Sequence, residues 1–199
     1  MAELLQKEKF FDPRKPFASK RAETHEEWQA RMGGEVLAVV RSGLYLDFRF
    51  LDMALSALQP VPDERCGVLA TDGRILCYQP TALLRLYQEN PKYLNRLCLH
   101  TLFHCIFRHL WLRGRRDRRL WDLACDIAVE NVIDGLGRKS VTRPLTYVRQ
   151  HAYEAIAAAG RVVSAAPAYR WLLTLTPGVL RQLEREFYTD DHRLWPKDA

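Results

Sequence analysis

Residues 91–112 read PKYLNRLCLHTLFHCIFRHLWL. Apolar side chains recur in this stretch at spacings of three or four, and that period predicts an amphipathic helix. The expected apolar stripe consists of Leu99, Phe103, Ile106 and Leu110. Asn90 can cap the helix and Pro91 suits its first position, so we expect the helix to run from Pro91 to about Leu112.

Two histidines in this helix, His100 and His104, are four residues apart. At 100° per residue their side chains lie about 40° apart on one face, so both imidazoles can bind a single zinc ion. The alternative is that both are hydrogen-bonded core residues. His109 falls about 180° from His100 on a continuous helix, and it would join the pair only if the helix unwound near Arg108.

The next predicted helix places three acids, Asp122, Asp126 and Glu130, four residues apart in an otherwise apolar segment. An acidic stripe in such a segment is costly unless it is solvated, paired or coordinating a metal. Asp126 is the most enclosed by its sequence neighbours and is the first candidate for a third ligand, Glu130 is the second and His109 the third. Alternatively, two of these acids pair with the preceding arginines or face water.

The remaining patterns predict a small sheet and several more helices. A tight hairpin is expected over residues 66–78, where two apolar strands flank Asp72-Gly73. The first helix begins at Glu26 and is expected to bury Trp28, Met32, Val36 and Val39. The other predicted helices cover about residues 47–58, 81–89, 117–136, 152–159 and 177–187. Together these elements predict a mostly helical α+β fold.

Three segments are expected along the chain. Residues 1–25 are polar and contain two prolines, which predicts a flexible N-terminal arm. A domain over residues 26–137 contains the hairpin and the histidine helix, and residues 138–199 form a helical extension. His192 follows two aspartates in the tail; we expect it at the surface, where it would bind metal only weakly.

The composition is that of an ordinary globular protein. Of the 199 residues, 48% are hydrophobic and 27% charged, which excludes collagen-like, low-complexity and wholly disordered chains. No apolar run reaches the roughly 18 residues of a membrane-spanning helix, and the N-terminal residues lack the features of a signal peptide. A cytoplasmic protein that does not bind membranes is therefore expected. Five scattered cysteines without a C-x-x-C pair predict buried free thiols.

The positive charge is concentrated in one place. The formal net charge is +6, and six arginines with a single acid lie between Arg108 and Arg119. Such a patch could bind nucleic acid, an acidic protein or a lipid surface. We favour a solvated connection between two helices, with a nucleic-acid- or protein-binding adaptor as the alternative.

The hairpin, the histidine helix and the helix after it read LATDGRILCYQP (69–80), HTLFHCIFRHL (100–110) and LWDLACDIAVEN (120–131). Together they resemble a group of bacterial proteins with a metallopeptidase domain ahead of a von Willebrand A-like domain, often in systems with MoxR-type AAA ATPases. The resemblance covers about residues 35–136. DDHRLWP at 190–196 is similar to the start of the linker beyond that domain.

This resemblance implies a small zincin-like fold over residues 26–137, in which the hairpin forms the sheet edge beside the active-site helix. His100 and His104 would be zinc ligands, with Asp126 or His109 completing the set. A peptide could add to the hairpin edge as an extra strand. A MoxR-type ATPase or a von Willebrand A-like protein would be a partner.

Two departures from the family pattern bear on activity. Thr101 stands where H-E-x-x-H peptidases have the glutamate that acts as general base, and its loss should lower hydrolysis by roughly 10²–10⁴-fold. Glu130 or Asp122 could replace that base from the neighbouring helix. The chain also stops at Ala199, before any von Willebrand A-like domain, which predicts a short member or a fragment. We expect a degenerate domain that binds zinc and a peptide or protein, with an active metallopeptidase as the alternative.

Overall fold

The computed structural model describes residues 21–158 and 162–197. Within these residues eight α-helices accompany a three-stranded sheet, which confirms the predicted, mostly helical α+β class. The helices are α1 (His25–Asp47), α2 (Asp52–Ala57), α3 (Pro80–Glu89), α4 (Pro91–Ile106), α5 (Arg118–Gly135), α6 (Tyr147–Ala157), α7 (Ala165–Leu172) and α8 (Pro177–Phe187). The strands are β1 (Gln59–Pro62), β2 (Leu69–Thr71) and β3 (Ile75–Tyr78). The predicted flexible arm at 1–25 lies, for residues 1–20, outside the described residues.

The predicted hairpin is present as β2 and β3, which pair antiparallel. In its turn, Asp72 Oδ1 accepts hydrogen bonds from the N–H groups of Arg74 and Ile75 at 2.8 and 2.9 Å. Gly73 has a φ of 89°, a conformation that favours glycine. β1 has no counterpart among the predicted elements. It pairs parallel with the far side of β3, at a sheet edge where its two prolines need not donate to a ladder. The order β1-β3-β2 leaves β2 at the other edge.

Helix α1 packs against α3, α4 and the sheet through a face that differs from the predicted one. The helix buries Gly33, Val36, Leu37, Val40 and Leu44. The expected burial of Trp28 and Val39 is wrong, since both are exposed. The cause is a close approach at Gly33, where a Cβ atom would lie 2.6 Å from Tyr78 Cε2. A contact that requires a glycine is invisible to a pattern of apolar residues.

Helix α4 ends at Ile106, earlier than the predicted end near Leu112. Arg108 has a φ of 60°, so the chain turns and continues as a 3₁₀ helix over His109–Trp111. The turn buries His109 and leaves Ile106, expected in the core, 42% exposed. Helices commonly end in a left-handed residue, usually glycine, and an arginine in that position gives no warning in the sequence.

Helix α5 lies between the histidine helix and the C-terminal helices, because it packs on α4 as well as on α7 and α8. After α8 the chain turns back along the sheet. We call residues 189–195 the return segment; in it, Asp191 forms an isolated parallel bridge with Ala70 of β2. The return segment therefore lies at the free edge of β2, next to α4 and α5. No helix in the described ranges has the length and apolar character needed to cross a membrane.

Candidate metal centre

Three histidines and two aspartates each bring one ligand atom to within 4.8 Å of all the others, and all five residues are buried. This five-residue group consists of His100 and His104 from α4, Asp126 from α5, and Asp190 and His192 from the return segment. Imidazole and carboxylate ligands together are typical of zinc and related transition metals. The group is therefore a candidate metal centre built from three separate parts of the chain.

The α4 histidines meet as their spacing predicts, with the two Nε2 atoms 2.8 Å apart. Asp126 Oδ1 lies 3.4 Å from His100 Nε2 and 3.3 Å from His104 Nε2. The structure thus brings together the predicted histidine pair and the carboxylate ranked first from the sequence.

Asp190 and His192 join the group from the C-terminal part of the chain. His192 Nε2 lies 2.8 Å from Asp190 Oδ1 and 3.2 Å from Asp126 Oδ1. The expectation that His192 lies at the surface is wrong, since its side chain is only 8% exposed. The signal in the sequence was the Asp-x-His spacing, because residues two apart point to the same side of an extended chain.

Three buried ligand atoms in the group, Asp126 Oδ1, Asp190 Oδ1 and His192 Nε2, lie close to one another but make no hydrogen bond of normal geometry. An unsatisfied buried polar atom costs about 1–3 kcal/mol, so three of them in one place indicate a common missing partner. A cation at that point would satisfy all three atoms, and two carboxylates would balance the charge of a divalent ion. The residues present therefore fit a divalent metal.

The electrostatics of the group also favour a cation. Burial by itself raises the pKa of Asp126 and Asp190, but the facing His192 brings both below the usual value for aspartate. Burial, helped by the charge of His100, lowers the pKa of His104 to about 4. Although burial opposes it, the carboxylates raise the pKa of His100 and His192. Because the pKa of both imidazoles is raised, a metal ion must compete with protons for His100 and His192.

Glu130 lies just outside the group and holds His100 in place. Its Oε1 is 2.8 Å from His100 Nδ1. Its Oε2 accepts hydrogen bonds from Arg96 Nη2 at 2.6 Å and from Arg149 Nη1. A carboxylate behind a ligating imidazole fixes the tautomer and orientation of that ring. With both oxygens engaged, Glu130 is placed to support His100 rather than to bind a metal or act as a free base.

His109 is placed behind His104 in the same way. Its Nδ1 lies 3.1 Å from His104 Nδ1, on the side of the ring that faces away from the group. Burial, with the charge of His104 as a further cause, lowers the pKa of His109 to about 2, so it is neutral at ordinary pH. The break at Arg108 brings His109 to the site, but as a neighbour of a ligand and not as one of the five.

Thr101 and Asp122, the two remaining residues predicted for the site, also contact the return segment. The Thr101 hydroxyl lies 3.1 Å from Asp190 Oδ2 and is buried, so the residue at the general-base position supports an aspartate of the group. Asp122 Oδ2 lies 3.8 Å from His192 Nδ1 and 3.7 Å from Arg118 Nε, with the side chain 24% exposed.

A cavity of about 560 Å³ borders the group. The residues of the site that line it are Asp122, Asp126, Asp190 and His192. Arg118, Arg119 and Glu184 also line the cavity. The cavity gives a small ligand or an ion a route to the centre from the α5–α8 side, past several carboxylates.

No curated protein and no solved structure is significantly similar to this chain. Residues 39–166 match a family of protein domains, and they include the α4 histidines and Asp126. Asp190 and His192 lie beyond the matched range. Since the match covers more than half of the 199 residues, the chain belongs to the family described as "Putative metallopeptidase domain".

Proposed function

We propose that this protein binds a divalent metal, zinc in the first place, at the five-residue group, and that it binds a peptide or protein rather than hydrolysing peptide bonds efficiently. The observation that carries the proposal is the convergence of three buried ligand atoms that make no hydrogen bond of normal geometry, Asp126 Oδ1, Asp190 Oδ1 and His192 Nε2. When bound, zinc supplies Lewis acidity that polarises a carbonyl group or a water molecule. Ligands from α4, α5 and the return segment would hold it.

Weak hydrolysis follows from the surroundings of the group. Catalytic zinc sites have three protein ligands and an open position, whereas structural sites are closed; here five side chains converge. Thr101 cannot act as a base near neutral pH, and Glu130 is engaged by His100 and by arginines. Of the two carboxylates expected from the sequence to replace the base, Asp122 is the one that lines the cavity, so it is the candidate base of an active metallopeptidase.

The expected partner is a peptide or protein. The MoxR-type ATPase and the von Willebrand A-like protein implied by the family resemblance belong to this proposal. Binding of nucleic acid by the arginine patch is less favoured, because much of the patch contacts the chain itself. Arg116 lies 4.7 Å from the ring centre of Trp121, and Arg119 Nη2 donates to Glu184 at 2.7 Å.

Metal content tests the first part of the proposal. Untagged wild-type protein, His104→Ala and His151→Ala are loaded with zinc, desalted and analysed by mass spectrometry. His151 is exposed and serves as a matched histidine control. We expect about one zinc ion per chain in the wild type and in the control, and little in His104→Ala. Absence of zinc from loaded wild-type protein, or equal zinc in all three, would contradict the proposal.

Peptidase assays test the second part. We expect little cleavage of an unstructured protein substrate by the zinc-loaded wild type. A Thr101→Glu variant restores the general-base position, and it is combined with Asp190→Ala because Asp190 faces Thr101. A gain of cleavage in this double variant over Asp190→Ala alone would support loss of the base as the cause of low activity. Efficient wild-type cleavage that disappears in His104→Ala would show an active enzyme.

A further inference from the structure

The return segment lies on the edge of the sheet that a bound peptide would use. The Asp191 N–H donates to the Leu69 carbonyl at 3.0 Å, and Asp191 pairs in parallel with Ala70 of β2. The Gly67 N–H donates to Asp191 Oδ2 at 3.2 Å. Peptides commonly bind by adding a strand to such an exposed edge. In this structure the protein's own chain is there.

The side chains of the return segment alternate as those of an added strand do. Asp190 and His192 point into the five-residue group, while Asp191 between them bonds to the loop before β2. Arg118 Nη2 donates to the His192 carbonyl at 3.1 Å. The Trp195 ring stacks on the His192 imidazole, with ring centres 3.7 Å apart. The segment therefore pairs with the edge of β2 and places two side chains in the five-residue group at the same time.

Without the return segment, the centre has a different composition. His100, His104 and Asp126 remain, and two histidines with one carboxylate is the ligand number and type of an open zinc site. Asp190 and His192 are the two residues that turn this open set into a closed one. Both lie outside the range matched by the family, residues 39–166.

We infer that the return segment occupies the peptide-binding site of its own chain. It blocks the edge of β2 to which a peptide would add, and it closes the metal centre through Asp190 and His192. This inference rests on the proposed function, because the two side chains can close the centre only if a metal is bound. Detachment of the segment opens two ligand positions and the β2 edge together. A peptide that binds there competes with residues 189–195.

The return segment is attached to the rest of the protein by few backbone hydrogen bonds and by several side-chain contacts. Its backbone pairs with β2 through the single bridge between Ala70 and Asp191, whereas β2 and β3 pair at three positions. Its remaining anchors are of two kinds. Asp190 and His192 enter the centre, whereas Arg193 bonds to Asp63 and the Arg65 carbonyl and Trp195 is buried. Metal binding should therefore strengthen the attachment of the segment through the first kind of anchor.

Hydrogen exchange of the whole protein measures that attachment. We compare the wild type, His151→Ala and the double variant Asp190→Ala/His192→Ala, each with zinc and with a chelator. Zinc should slow exchange at residues 189–195 in the wild type and in the control, and this protection should be lost in the double variant. Asp190→Asn/His192→Gln, which keeps side-chain size, provides the same comparison if the alanine variant folds poorly. If the wild type binds zinc but residues 189–195 exchange equally fast with zinc and with the chelator, the inference is overturned.

Cobalt in place of zinc reports whether the centre is closed. The visible absorption of Co²⁺ strengthens as its coordination number falls, and acetohydroxamate changes it by binding at open positions. We expect acetohydroxamate to leave the wild-type spectrum unchanged and to alter that of the double variant. The metal affinity of the double variant should fall by more than the roughly 10- to 100-fold that loss of a residue supporting a ligand costs. An equal response in both proteins would show that Asp190 and His192 do not close the centre. Failure of the wild type to bind any metal would instead reject the proposed function itself.

Discussion

The three acids of α5 lie on a single helix but in three different environments. Asp122 is partly solvated at the cavity, Asp126 belongs to the five-residue group, and Glu130 is paired with buried arginines. The sequence predicts that each acid needs one of these environments, because an unpaired buried carboxylate is too costly. Their assignment depends on which side chains α4, α6 and the return segment place opposite each acid, and the sequence of α5 does not contain that information.

Glu130→Gln should lower the affinity for zinc by about 10- to 100-fold, the usual effect of losing a group that orients a metal ligand. The amide keeps the size of the carboxylate but loses the charge that faces His100 Nδ1 at 2.8 Å. Zinc affinity is measured by competition with a chromophoric chelator.

Asp134→Asn is the matched control for this change. Asp134 accepts hydrogen bonds from the same two arginines, from Arg96 at 2.6 Å and from Arg149 at 3.3 Å, and its contacts do not include His100. Both variants should unfold at lower denaturant concentration, because each leaves buried arginine charge uncompensated. If Asp134→Asn weakened zinc binding as much as Glu130→Gln, the effect would come from general destabilisation and not from His100.

At the scale of elements, periodicity predicted most helices and the hairpin, because both patterns are local. It did not predict the end of α4, since the residue that breaks the helix is Arg108 and not a glycine. That break decides the role of His109: on a continuous helix it would point away from His100, and after the turn it lies behind His104. A single backbone conformation thus changes the surroundings of the centre.

Arg108→Gly should stabilise the protein by up to about 1 kcal/mol, because glycine adopts a positive φ without steric cost. Arg108 has a φ of 60°. The matched control is Arg85→Gly, an exposed position inside α3, where glycine should cost about 1 kcal/mol. Urea unfolding of both variants measures the two free energies. Destabilisation of equal size in both would show that the turn at Arg108 is not strained.

At the scale of the whole molecule, the sequence predicted three of the five residues of the candidate site. His100, His104 and Asp126 lie on two helices that are neighbours in sequence, and local spacing was enough to select them. Asp190 follows Asp126 by 64 positions, and its place depends on the path of α6, α7 and α8. Local periodicity says nothing about where the C-terminal segment packs, so the other two residues of the centre, Asp190 and His192, became visible only in the folded chain.

Alkaline pH should lower the free energy of unfolding. Burial is the main cause that raises the pKa of the Cys66 thiol to about 12. Burial also raises the pKa of the neighbouring Cys77 thiol. In the unfolded chain a thiol ionises near pH 8.5, so above that pH the unfolded state loses protons that the native state keeps, and unfolding becomes easier. Urea unfolding at pH 7.5 and pH 10 should show this loss, and Cys66→Ala should reduce it. An unchanged difference in the variant would mean that other groups cause the loss.

Zinc should stabilise the whole fold, because the five-residue group joins α4 and α5 to the C-terminal part of the chain. A ligand that binds only the native state adds about 2.7 kcal/mol at 100 times its Kd. The melting temperature of the wild type should therefore rise with zinc and fall with a chelator, and His151→Ala should behave alike. In His100→Ala/His104→Ala the difference between zinc and chelator should vanish while the protein still folds. If the two histidines were only core residues, the double variant would melt at a lower temperature and the wild type would not respond to zinc at all.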